Sequence, residues 1–207
     1  MAIQNSIRTN VSSFTALRTL NSINRDLDIA QDRVSTGLRV TGALYNSSSF
    51  VVAQGLRSEL KAIGAVSQGL NNSKGVGNVG IAGATGISDL MGDVRAKLTE
   101  LSNEGITTSQ RTILLNDFNA LVSQAASFVA NASFNGVNLL TGTTNINTLS
   151  NLAGGTLSLT AATNVGIQIR SLAGATTATA TNAQSVIALQ FSNVQSVVNA
   201  ALGTLGA

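Results

Sequence analysis

Residues 16–34 read ALRTLNSINRDLDIAQDRV. Within them Ala16, Leu20, Ile23, Leu27, Ala30 and Val34 recur at spacings of 4, 3, 4, 3 and 4. Alternating steps of four and three hold side chains on one stripe of a helix that turns every 3.6 residues. A stripe this narrow is the a/d seam of a coiled coil. Arg25, Asp26, Asp28, Asp32 and Arg33 fall off it, where water can reach them. Upstream, Ile3, Ile7, Val11 and Phe14 form a second stripe. The spacing predicts a helix from near Ile3 to Ser35–Gly37. Its apolar residues, from Ile3 to Leu38, lie on more than one face, a pattern that suits burial on several sides.

The same rhythm returns downstream. Leu114, Phe118, Leu121, Ala125, Phe128 and Ala132 repeat the 4, 3, 4, 3, 4 spacing, and Thr107, Thr108 or Ser109 can cap that helix. Ile187, Phe191, Val194, Val198, Ala201 and Leu205 repeat it once more. Another seam runs through Ala53, Leu56, Leu60, Ile63 and Leu70, with Ser67 filling one position, after the candidate cap cluster Asn46–Ser49. Between these lie Gly75, Gly77, Gly80, Gly83 and Gly86. Each helical Gly costs about 1 kcal/mol. Yet Val76, Val79, Ile87, Leu90, Val94, Leu98 and Leu101 keep helical spacing, so a weak or bent helix is predicted, with Gly allowing close helix approach. The chain contains no Pro, which permits long helices.

After the third seam the character changes. Phe134-Asn135-Gly136-Val137 carries an Asn-Gly turn signal. Leu157–Thr160 and Val165–Ile169 alternate with period two and read as short strands. Residues 171–181 read as a loop rich in Ala, Thr and Gly. Each helical stripe must bury against something. Periodicity alone leaves open a monomeric bundle and a larger assembly.

Composition excludes several chemistries. The chain has no Cys and no His. That removes disulfides, thiolate metal sites and thiol nucleophiles. It also removes the usual base near neutral pH, and with it the Ser–His–Asp triad. A Ser–Lys hydrolase using Lys61 or Lys97 stays formally possible, but both lysines read as solvated helix positions. No uninterrupted apolar run is long enough for a membrane span. The 12 basic residues are scattered, a poor footprint for nucleic acid. All acidic residues lie at or before Asp117, and beyond it the only charge is Arg170. No cofactor site is indicated.

Three segments resemble a known family. Ser6–Leu20, SIRTNVSSFTALRTL, looks like the N-terminal signature of bacterial flagellins. Arg33–Val40, RVSTGLRV, is close to that family's most recognisable motif. Ser133–Gly142, SFNGVNLLTG, matches the turn after its third helix. The resemblance implies a mainly α fold: an elongated antiparallel helical bundle or coiled-coil rod with a small β-hairpin region. It divides the chain into an N-terminal filament-core helix and linker (1–43), a helical rod core with turn (44–142), a short variable surface insert (143–181) and the start of a C-terminal rod helix (182–207). It implies a structural subunit that polymerises into the flagellar filament, exported without a cleavable signal. A homo-oligomeric helical filament is the expected assembly, with an export chaperone and a cap protein as further partners. Alternatives are a hook–filament junction protein, or an adhesin acting through residues 143–181.

Site residues follow from these readings. Ile3, Ile7, Val11, Phe14, Leu20, Ile23, Leu27 and Val34 are expected at the polymerisation interface. Leu56, Leu60, Ile63, Leu90, Val94, Leu114, Phe118, Leu121, Phe128, Ile187, Phe191, Val194 and Val198 are expected to pack the rod core. The sequence also departs from the family. Val197–Ala207, VVNAALGTLGA, resembles only the first part of the family's C-terminal helix, so the C-terminal core segment is expected to be missing. Leu44–Ser48 stands where many members carry an acidic pair and alanines. At the family's site for the Toll-like receptor that detects flagellin, Asp93 and Lys97 flank Val94-Arg95, and Gln124 stands where an acid is usual.

Overall fold

A computed structural model describes residues 10–44, 46–162, 164–175 and 177–206. The chain divides into two compact units, with the boundary between Lys61 and Ala62.

In the first unit α1 spans Val11–Thr36. Asn10 is extended, and its Oδ1 accepts hydrogen bonds from the N–H groups of Ser12 (3.1 Å) and Ser13 (3.2 Å). That satisfies two donors which an uncapped helix leaves unpaired. The cap therefore starts the helix at Val11 rather than near Ile3; Ile3 and Ile7 lie outside the described residues. Gly37 ends α1 in a left-handed conformation (φ 65°), which costs Gly little. The next helix, α2, spans Ser47–Leu101. Asn46 caps it, its Oδ1 accepting from the Ser49 N–H at 2.9 Å.

The second unit holds the core. The Gly-rich stretch is neither a break nor a local weakness, because α2 runs through it without interruption. Its glycines seat bulky neighbours. A Cβ on Gly75 would meet the Phe134 ring at 2.8 Å, and one on Gly83 would meet Ala132 Cβ at 2.7 Å. The propensity lost at each Gly is offset by the close approach it allows. Buried Val76, Ala84, Ile87, Met91, Val94, Leu98 and Leu101 line the same face.

Helix α3 spans Thr108–Asn131. Thr107 Oγ1 accepts from the Gln110 N–H, and Gln110 Oε1 accepts from the Thr107 N–H at 2.9 Å, a capping box. Thr107→Ala is expected to cost about 1 kcal/mol, read by chemical denaturation followed by circular dichroism. The buried stripe of α3 is Phe118, Val122, Ala125 and Val129. It sits one residue on from the expected one at two positions. Leu121 is only half-buried, and Phe128 stays 37% exposed, lying along Gly86. The valines point inward because the helix face is centred between the two possible seams.

A tight hairpin follows: β1 (Ser133–Phe134) pairs antiparallel with β2 (Val137–Asn138). Asn135 and Gly136 both have positive φ, 49° and 78°, the conformation an Asn-Gly turn supplies. Asn138 then ties the turn down. Its Nδ2 donates to the Val129 carbonyl at 2.7 Å, and its Oδ1 accepts from the Leu140 N–H at 2.8 Å. A second hairpin pairs β3 (Ile146–Leu149) with β4 (Thr156–Leu159), Ile146 facing Leu159. It rests on α2, where Thr148 bonds Ser73 and packs over Gly69, and Leu159 packs over Gly77.

Residues Val165–Ile169 are helical, not a strand. They belong to α4 (Asn164–Ala173), which packs against α3 and the last helix. Five residues fit a period of two or of 3.6 equally well. The burial of Val165, Ile169 and Leu172 at steps of four and three, with Ile167 exposed, decides for the helix. Hence residues 143–181 are not wholly a surface insert: the hairpin lies at the surface and α4 lies in the core.

The chain finishes with α5 (Ala180–Ser185), a π-helical segment (Val186–Phe191) and α6 (Ser192–Leu205). Ala183, Val186, Phe191, Val194, Val198, Ala201 and Leu205 are buried. The step from Val186 to Phe191 is five residues, the repeat of a π-turn. Val186 thus takes the place expected for Ile187, which is only half-buried.

Candidate assembly interface

Helix α1 has no buried residue. Its seam is laid open: Val11 is 72% exposed and Val34 85%, and Phe14, Leu20, Ile23 and Leu27 are exposed as well. A capped amphipathic helix of 26 residues with nothing on its apolar stripe is an unfilled contact surface. The first turns of α2 look the same. Leu56, Leu60 and Ile63, expected to be core, are exposed, Leu60 at 68%. Within this chain they pack no core. The alternation that marks a seam cannot say whether the partner belongs to the same chain or another.

The remaining expected core positions divide. Val94, Phe118, Phe191, Val194 and Val198 are buried; Leu90, Leu114, Leu121 and Ile187 are half-buried. The sequence reading missed Asn138 and Arg111. Arg111 Nη1 donates to the Leu101 carbonyl at 2.6 Å and its Nη2 to the Asn103 carbonyl at 2.8 Å. It thereby satisfies the end of α2 and secures the turn into α3. An Arg one turn into a helix, after a polar loop, is too common a pattern to be singled out.

Asp93, Lys97 and Gln124 do come together. With Asp117 and Leu121 they line an open groove between α2 and α3 of about 380 Å³. Lys97 Nζ lies 3.1 Å from Glu100 Oε2 and 3.5 Å from Asp117 Oδ2. Its pKa is raised from the usual 10.5, chiefly by the hydrogen bond to Glu100. Partial desolvation works against this rise, while the charges of Glu100 and Asp117 add to it. A lysine held cationic by two carboxylates is a poor base, and Lys61 is exposed. Among the described residues no group of three or more His, Cys, Asp or Glu could hold a metal ion. No described helix is long and apolar enough to cross a membrane.

What decides the family is a match between residues 7–145 and the sequence profile of the bacterial flagellin N-terminal helical region. The chain belongs to the bacterial flagellin family. It is 31% identical to flagellin FljM of Caulobacter vibrioides over 205 residues, covering 97% of this chain and 74% of that one. It is 34% identical to a flagellin of Brucella melitensis over 146 residues, covering 70% of this chain and 51% of that one. In structure it is similar to Bacillus cereus flagellin, with a TM-score of 0.55 and 18% identity over 66% of this chain and 79% of that one, a likeness of fold. As a flagellin it is a structural subunit of the flagellar filament and acts outside the cell. The junction-protein and adhesin readings are not favoured beside these flagellin relatives.

Proposed function

We propose that the seam of α1, Val11, Phe14, Leu20, Ile23, Leu27 and Val34, with Ile3 and Ile7 upstream, is the surface through which flagellin copies polymerise. The observation that carries this reading is the absence of any buried residue on α1. Fully burying a large apolar side chain contributes about 1.5–3 kcal/mol. Six such side chains, half-covered on assembly, supply on the order of 5–10 kcal/mol, enough to offset much of the cost of association. A surface that meets a different surface on the next copy need not close, and open head-to-tail contact grows a helical filament. The early turns of α2, at Leu56 and Leu60, extend the apolar surface. An export chaperone and the filament cap are proposed as transient partners, and the flagellum-specific pathway as the export route, on family membership alone.

Labelling the chain with a surface tag in motile cells tests this reading by electron microscopy. Label along the whole filament is expected. Label confined to the hook junction would overturn it.

A second reading concerns the groove at Asp93, Lys97 and Gln124. Where flagellin receptors read this face, Lys97 is already committed to Glu100 and Asp117, and Gln124 offers no charge. Activation of the Toll-like receptor for flagellin is expected to be weak or absent. A reporter-cell assay checks this, and potent activation by the chain would refute it.

A further inference from the structure

Between the last turns of α1 and the start of α2 lies a cavity of about 370 Å³. Arg33 and Arg39 line it together with Ile29, Thr41, Asn46 and Ser49. No carboxylate lines it. Among the described residues neither guanidinium has an acidic partner within 4.0 Å. Other arginines are engaged: Arg57 donates to Gln54, and Arg111 to two backbone carbonyls. Arg33, in the last turn of α1, also offsets the partial negative charge of that helix end. That role does not account for Arg39, which follows the helix.

Two like charges turned into one concavity repel each other, and the cavity walls focus their field. An oxyanion between them relieves the repulsion, and the planar guanidinium fork suits a carboxylate in particular. This chain carries uncommitted carboxylates. Asp89 and Asp93 are exposed on α2 in the second unit, and Asp26, Asp28 and Asp32 are exposed on α1. Among the described residues none of the five has a basic partner within 4.0 Å.

We propose that the Arg33–Arg39 cavity receives a carboxylate side chain from a second copy of the chain. This rests on the reading of the chain as a self-assembling subunit and adds a charged contact to the apolar one. An apolar seam supplies adhesion but tolerates sliding by a turn. A charge-assisted contact at one end of α1 fixes which turn meets which.

Sedimentation velocity of the full chain at low (about 20 mM) and high (about 300 mM) salt tests the proposal, since screening weakens exposed charge contacts. Wild-type self-association is expected to weaken with salt. Arg33→Gln/Arg39→Gln is expected to weaken association about tenfold at low salt, equivalent to about 1.4 kcal/mol, and to lose the salt dependence. Arg33→Lys/Arg39→Lys, which keeps the charge but not the fork, is expected to fall between the two. Both arginines are exposed, so circular dichroism is expected to be unchanged. Absence of self-association, salt-independent association, or association indifferent to the Gln pair would each overturn the proposal. So would inorganic sulfate raising the melting midpoint of wild type but not of the Gln pair, with association unaltered, since that marks a site for a free anion. If the Gln pair assembles normally while Leu20→Asp/Leu27→Asp does not, the polymerisation seam stands and the cavity proposal alone falls.

Discussion

Leu20→Asp combined with Leu27→Asp is expected to abolish incorporation of the chain into filaments while leaving the unfolding of the second unit unchanged. Both leucines are exposed on α1, a helix that buries nothing within the chain. A carboxylate there stays hydrated in the free subunit. Inside an apolar contact it would need either desolvation without a partner, at a cost of several kcal/mol, or exclusion of the whole helix from the contact. Two such residues, two turns apart, leave no register in which the seam can close. The measurement is the number of tagged subunits per filament by electron microscopy, beside chemical denaturation of the purified chain. Normal incorporation of the double variant would refute the assignment of the seam. A fall in stability equal to the loss of incorporation would mean that the leucines support the subunit rather than its contacts.

Gly83→Val is expected to destabilise the second unit by about 3 kcal/mol, at the upper end of what overpacking a tight core costs. A Cβ at this position would stand 2.7 Å from Ala132 Cβ and 3.1 Å from Leu140 Cδ1. Ala132 Cβ cannot rotate away, because it is fixed to the backbone. Relief therefore requires α2 to move from the end of α3. Gly83→Ala gains about 1 kcal/mol of helix propensity but meets the same contact, so a smaller net loss is expected. Gly92 is the control. It lies on the same helix with nothing within 4 Å of a built Cβ, and Gly92→Ala is expected to stabilise by about 1 kcal/mol. Urea denaturation followed by circular dichroism reads all three variants. Equal effects at Gly83 and Gly92 would mean that the glycines matter only through propensity.

That contrast shows where the sequence is legible. The seam of α1 is read correctly as helix from apolar spacing alone, because an extended run of 4 and 3 steps has no other regular explanation. The Asn-Gly turn is equally plain, since few residues accept two successive positive φ angles. The roles of Gly75 and Gly83 are not legible. A glycine written in a sequence looks the same whether it faces water or a phenyl ring from residues far along the chain. Residues 165–169 fail for a different reason: five residues are too few to separate the two periods, and only contact with α3 and α6 decides. For Leu56 and Leu60 the seam is real, but a pattern of apolar side chains carries no label for the chain that will cover it. The Arg33–Arg39 cavity escapes for want of any motif, since it depends on how the chain turns between two helices.

The π-helical segment at Val186–Phe191 has a consequence of its own. A helix advances about 100° per residue, so one added residue in the turn rotates everything beyond it relative to what precedes it. The apolar stripes of α5 and α6 are therefore out of phase with each other, and each is aimed independently at the same core. Ser192 Oγ, donating to the Ile187 carbonyl at 3.1 Å, takes up an acceptor at the dislocation. Losing a single residue there would not shorten a loop. It would turn Val194, Val198 and Leu205 away from the interior together, which makes this short stretch the least forgiving place in the chain for an insertion or deletion.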